Sequence, residues 1–256
     1  MARVLLPPAI YLDGVLQHKQ SLLQALRHAA QHRAVEGCDH LLTHKCAVSG
    51  VSIGQHLRHS LDHIRKVVDA AVFPPNHQQR AGGASTGGGS SSEAPDAVVW
   101  ASSLADPVAL VDYDERSRGT AVERHVALAE RELEALARAL GSVVDLDQPV
   151  ICRFMFAPLP PPPGAGAAAA EEGGSAAGGG PAPAAAPKHL DLPSSVGREL
   201  AFAAHHAIHH NASILGILRS SAPLAEDVLP RLAELAPDFG TAPSTAAFQR
   251  QSHTQI

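Results

Sequence analysis

Apolar residues recur at helical spacing in four stretches of the chain. Over residues 13–32 they are Val15, Leu16, Leu22, Leu23 and Leu26, with Asp13 placed to cap the helix. Ser52-Ile-Gly-Gln55 has the capping-box form, and Ile53, Leu57, Leu61, Ile64, Val67 and Val68 follow until Pro74-Pro75 end the run. Thr120-Ala-Val-Glu123 repeats the box and predicts a third helix through Val126, Leu128, Leu133, Leu136 and Leu140 to Gly141. A fourth follows Pro193, capped by Ser194 or Ser195, and carries Leu200, Phe202, Ile208, Ile214, Leu215, Ile217 and Leu218 before Pro223. Four helices of this length predict a mainly α fold arranged as a bundle.

Elsewhere the pattern differs. Val150-Ile-Cys-Arg-Phe-Met-Phe156 is β-branched and aromatic and predicts a strand, with 97–100 or 108–111 as partner in a small β-hairpin beside the helices. Two segments, 80–95 and 157–187, are rich in Gly, Ala, Ser and Pro and hold too little apolar side chain to offset the entropy of ordering. They are expected to be disordered insertions in loops, where added length raises the entropic cost only slowly. The expected organisation is one helical domain over 1–245 carrying both insertions, then a C-terminal tail over 246–256.

Composition narrows the class. The 256 residues carry a formal net charge of −5, and the chain has no Lys/Arg run, so a sequence-independent grip on phosphates, and hence nucleic acid, is not expected. No apolar run approaches the ~20 residues that span a bilayer, and residues 1–11 lack the basic start and apolar stretch of a signal peptide. A cytoplasmic protein without membrane association is expected. Three cysteines without a CxxC fit a reducing compartment better than a disulfide framework. There is no phosphate loop, dinucleotide fingerprint or convincing nucleophile elbow.

Histidine changes the picture. There are 16, with His205, His206, His209 and His210 in one window and His56, His59 and His63 on the second helix. Imidazoles four residues apart on a helix converge on one ion. At about 100° per residue, His206 and His210 flank the apolar stripe of the fourth helix, whereas His205 and His209 turn away from it. Glu199 shares the face of His206 and could accept a hydrogen bond from a ligand's second ring nitrogen. A bare HxxxH is equally the mark of a solvated polar face, but that reading weakens once a second helix adds a ring. Three imidazoles with an open fourth position suit a divalent metal, zinc first, with nickel or iron(II) also accepting such donors. His56, His59 and His63 lie within about 60° of one another; the wheel sets His56 and His63 slightly nearer the apolar stripe than His59, a margin too small to choose the ligand. Cys38, His40, His44 and Cys46 form a second cluster, but their C-x-H-x3-H-x-C spacing is not a usual zinc signature. It reads better as a polar connector.

The string Ser52-Ile-Gly-Gln-His-Leu-Arg-His59-Ser-Leu-Asp62-His63, with His206-Ala-Ile-His-His210 much later, resembles the DinB-like (damage-inducible) superfamily of metal-binding four-helix bundles. Tyr113-Asp114-Glu-Arg116-Ser-Arg118, Gly197-Arg198-Glu199-Leu200 and Asp238-Phe239-Gly240-Thr-Ala-Pro243-Ser244-Thr245 resemble motifs of an uncharacterised branch of it. The resemblance implies a four-helix bundle with a long crossover connection. Carried over by position, it implies His59, His206 and His210 as metal ligands, with His56, Asp62, His63 and His209 near them. The two insertions depart from the compact family pattern. Characterised relatives include thiol transferases and a thiol-dependent isomerase. The implied activity is a metal-dependent transferase or hydrolase acting on a small molecule, through a metal-activated thiol or water, with a low-molecular-weight thiol as a candidate substrate. The alternative is a non-catalytic metal-binding or structural bundle that binds partners, and a homodimer is compatible with either. Arg116 and Arg118 could bind an anionic substrate through their paired donors, or instead pair with Glu123 or Asp114 and fix the approach to the third helix.

Overall fold

Helix α1 (Pro7–His32) starts before the expected cap at Asp13, because proline fits the first helical turn, where the missing N–H costs nothing. The computed structural model describes residues 7–32, 37–72, 108–156 and 188–253. The expected disordered insertions at 80–95 and 157–187, and the candidate strand at 97–100, lie outside them. After the short α2 (Asp39–Leu42) comes α3 (Ile53–Val72). Its capping box forms as read: Ser52 N–H donates to Gln55 Oε1 at 2.9 Å and Gln55 N–H to Ser52 Oγ at 3.1 Å.

The second box does not form. Thr120 makes no side-chain cap, residues Ala121–Glu123 make one 3-10 turn, and α4 (Val126–Leu140) begins only afterwards. Tertiary contacts take the capping acid away: Glu123 Oε1 accepts from Arg58 Nε at 2.8 Å and from Gly119 N–H at 3.2 Å. Asp39 supplies the missing cap from a distance, its Oδ1 accepting Val126 N–H at 2.8 Å.

A three-stranded sheet stands where a hairpin was expected. β1 (Ala109–Asp112) pairs in parallel with β2 (Pro149–Phe156), Val111 opposite Cys152, across the connection that contains α4. β2 pairs antiparallel with β3 (Lys188–Ser195), Cys152 opposite Leu192. The strand order β1-β2-β3 makes β3 an edge, which is why Pro193 is tolerated inside it. Ser195 then caps α5 (Val196–Ser220), its Oγ accepting Arg198 N–H at 3.4 Å. Three further helices, α6 (Ala222–Asp227), α7 (Leu229–Leu235) and α8 (Pro243–His253), complete the described chain. Residues 246–253, read as tail, are thus the greater part of a helix.

The four long helices close on one another. α3 packs on α5, α5 on α1, α1 on α4 and α4 on α3. Leu12, Leu22, Leu57, Ile64, Leu140 and Leu200 are among the side chains fully buried between them. The sheet meets this group through β1 on α3 and β3 on α5, so it borders the helix pair that carries the histidines. At the start of α3 the packing leaves no room for a side chain: a Cβ on Gly54 would overlap the Glu123 carbonyl. Among the described residues no helix is long and apolar enough to cross a membrane.

Candidate metal centre

The densest contact between helices, α3 on α5, brings His59 against the i, i+4 pair His206 and His210. His206 Nε2 stands 3.3 Å from His59 Nε2 and 3.1 Å from His210 Nε2, and ligand atoms of the three residues all lie within 4.8 Å of one another. Hydrogen bonding cannot satisfy this arrangement. A neutral ring nitrogen is either one donor or one acceptor, so His206 Nε2 can serve only one of its two neighbours. A cation accepts all three lone pairs at once. Metal–nitrogen bonds of ~2.0–2.1 Å at tetrahedral angles put ligand nitrogens ~3.3–3.4 Å apart, close to the two spacings from His206 Nε2. The three-histidine group could hold a metal ion.

The surrounding residues hold the rings in place. His210 Nδ1 is 2.8 Å from His56 Nδ1. A cation held by the His210 Nε2 lone pair would leave the ring proton on Nδ1, to be donated to His56, and so fix both tautomers. His63 is buried and stacked, with ring centroids 4.1 Å from His206 and 4.8 Å from Tyr113. Its Nδ1 is buried without a hydrogen-bond partner. Glu199 does not take the role expected of it. It is fully buried, and it accepts from Tyr113 Oη at 2.6 Å, from Ser194 Oγ at 2.5 Å and from Arg198. Burial pushes its carboxyl up, but these donors outweigh that and hold it below the usual range. Glu199 therefore anchors Tyr113, and Tyr113 in turn backs His63. Asp62 likewise serves Arg58, accepting from Nη1 at 3.0 Å. His209 is exposed on the far side of His210, with centroids 5.5 Å apart.

Burial and neighbouring positive charge keep the rings neutral. Desolvation leads in every case, lowering His59 and His206 to about 4, His63 to about 3 and His210 to about 2. Their lone pairs are free of protons at neutral pH, as metal binding requires. Burial pushes the Cys152 thiol the other way, up to about 12, so this buried sulfur on β2 stays protonated.

Arg116 and Arg118 are exposed, and neither makes the ion pair with Glu123 or Asp114 that the sequence left open. Glu123 is held by Arg58, and Asp114 Oδ2 accepts Met155 N–H. The second cluster does not assemble: among the described residues His59, His206 and His210 are the group gathered at ligating distance, and Asp39, between Cys38 and His40, pairs with His125 at 2.8 Å.

Lys19 escaped the sequence reading. It is fully buried on α1, and its Nζ donates to the equally buried Asn211 Oδ1 at 2.7 Å. Its charge adds to the lowering of His56, His206 and His210. The signal was present: Lys19 falls in the stripe of Val15, Leu16, Leu22, Leu23 and Leu26, where an apolar residue is the rule. Neither a family model, nor a curated protein, nor a solved structure matches this chain.

Proposed function

We propose that the chain is a DinB-like four-helix bundle with a long crossover connection, and a metal-dependent transferase or hydrolase acting on a small molecule, a low-molecular-weight thiol among its substrates. One observation carries the reading: three neutral imidazoles from two helices crowd together, with His206 Nε2 3.3 Å and 3.1 Å from the Nε2 atoms of His59 and His210, a pair it cannot hydrogen-bond at once and a cation can join. His59, His206 and His210 would hold the ion, and three protein ligands leave the fourth position open, the pattern of catalytic rather than structural zinc. Zinc fits an all-imidazole donor set, and nickel or iron(II) also accept it. A divalent cation supplies there the acidity that brings water or a thiol toward ionisation at neutral pH. His56 keeps the proton of His210 on the outer nitrogen. His63, Tyr113 and Phe202 form an aromatic wall beside His206 that keeps water from that side.

The test compares zinc-loaded wild type with His59→Ala in conjugating 2-mercaptoethanol to 1-chloro-2,4-dinitrobenzene, and in hydrolysing p-nitrophenyl acetate. The reading expects one of these rates to fall at least 100-fold in the variant while helicity and melting temperature are kept. A variant that loses stability together with its zinc, and shows wild-type rates in both assays, would instead make the ion a structural element.

A further inference from the structure

The loop between β1 and the 3-10 turn is pinned at both ends, yet its two guanidinium groups are left unpaired. Asp112 Oδ1 accepts Asp114 N–H at 2.9 Å and Glu115 N–H at 3.2 Å. Tyr113 is buried against His63 and bonded to Glu199, Glu115 pairs with Lys66 at 2.8 Å, and Gly119 N–H is held by Glu123. Every acidic group of the loop is thus engaged elsewhere. Arg118 N–H closes a tight turn on the Arg116 carbonyl at 3.0 Å, which keeps the two arginines together. Among the described residues neither side chain has an ion pair or hydrogen-bond partner, whereas Arg27, Arg58, Arg65, Arg153, Arg198 and Arg231 all have carboxylates.

Tyr113, three residues before Arg116, stacks on His63 with ring centroids 4.8 Å apart, and His63 stacks on His206 at 4.1 Å, so the loop that carries the two arginines starts against the three-histidine site. Two exposed, unpaired guanidinium groups on that loop, in a chain of net charge −5, are complementary to an anion.

We propose that Arg116 and Arg118 form an oxyanion-binding arm beside the three-histidine site, so that the substrate is a small molecule bearing a carboxylate or phosphate group. The assignment rests on the site reading above and adds the substrate class. The planar guanidinium matches either group with paired donors. Both side chains are exposed and unpaired, so the double variant R116Q/R118Q folds as wild type does.

The experiment titrates apo and zinc-loaded protein with succinate, with inorganic phosphate and with uncharged acetamide. It follows affinity by calorimetry and the His59 and His206 ring nitrogens by NMR. Wild type is expected to bind at least one of the two anions, to ignore acetamide, and to shift both ring resonances. R116Q/R118Q is expected to weaken that binding at least 10-fold, and the tighter of the two anions tells carboxylate from phosphate. Equal binding by variant and wild type, or binding that moves neither ring, overturns the proposal even where zinc is held. Arginine-dependent binding in protein that fails to retain zinc upholds it and removes the metal reading alone.

Discussion

His56 shows how one residue outside the ligand set can control it. His210 Nδ1 lies 2.8 Å from His56 Nδ1, so a metal-bound His210 would donate its outer proton there, and removing that acceptor would free its tautomer and ring orientation. His56→Ala is expected to weaken zinc binding about 10–100-fold, as loss of a ligand's outer hydrogen bond does, measured by competition with a chromogenic chelator. Unchanged affinity would mean that packing alone orients His210. Lys19 gives a second prediction, through pH. Burial lowers its ammonium to about 7, against ~10.4 in an unfolded chain. Between those values the unfolded state binds more protons, so stability rises with pH across that window. Below pH 7 the buried charge costs roughly 5 kcal/mol, and the cost vanishes above about pH 10.4. Lys19→Met removes it but leaves Asn211 Oδ1 unpaired, at ~1–3 kcal/mol. The variant is therefore expected to be the more stable by urea denaturation at pH 6 and the less stable at pH 10. A variant weaker at both would contradict this account. At the residue scale the His206/His210 pair was legible because helix geometry alone sets it. Lys19 was missed because an apolar stripe was read by counting its apolar members.

Among the elements, local signals held where no distant partner competed for the same side chains. The Ser52/Gln55 box lies within one turn and forms as read. The Thr120/Glu123 box has the same pattern but loses its acid to Arg58, 65 residues away, a buried charge that must be paired. β3 was invisible for the same reason: its strand character comes from lying beside β2, and its sequence, with Pro193, reads as the approach to a helix. The contact between α3 and the 3-10 turn supplies a test at this scale. Gly54→Ala sets a methyl against the Glu123 carbonyl, and no side-chain rotation relieves a clash with backbone. Overpacking costs ~1–3 kcal/mol, more than the ~0.5–1 kcal/mol that alanine adds to a helix interior. The variant is expected to melt lower than wild type, and an equal or higher melting temperature would show that the two elements can part.

At the level of the whole molecule, the fold joins two chemistries that lie far apart in the chain. His59 and His206 are separated by 147 residues, and only the packing of α3 on α5 makes them neighbours. The mainly helical class could be read from periodicity and a strand near 108–111 from its β-branched run, whereas the ring of helix contacts and the parallel pairing of β1 with β2 could not, because each depends on partners the local pattern does not name. An ion bound at that seam ties the two helices together, so it stabilises the native state by mass action, ~4 kcal/mol when free metal stands a thousandfold above its dissociation constant. The most direct measurement is elemental analysis of untagged protein after dialysis against trace zinc, for wild type, His59→Ala, His206→Ala and His210→Ala. One equivalent of metal in wild type and less than a tenth in each folded variant is the predicted result. Metal-free wild type, or variants that keep a full equivalent, would contradict it.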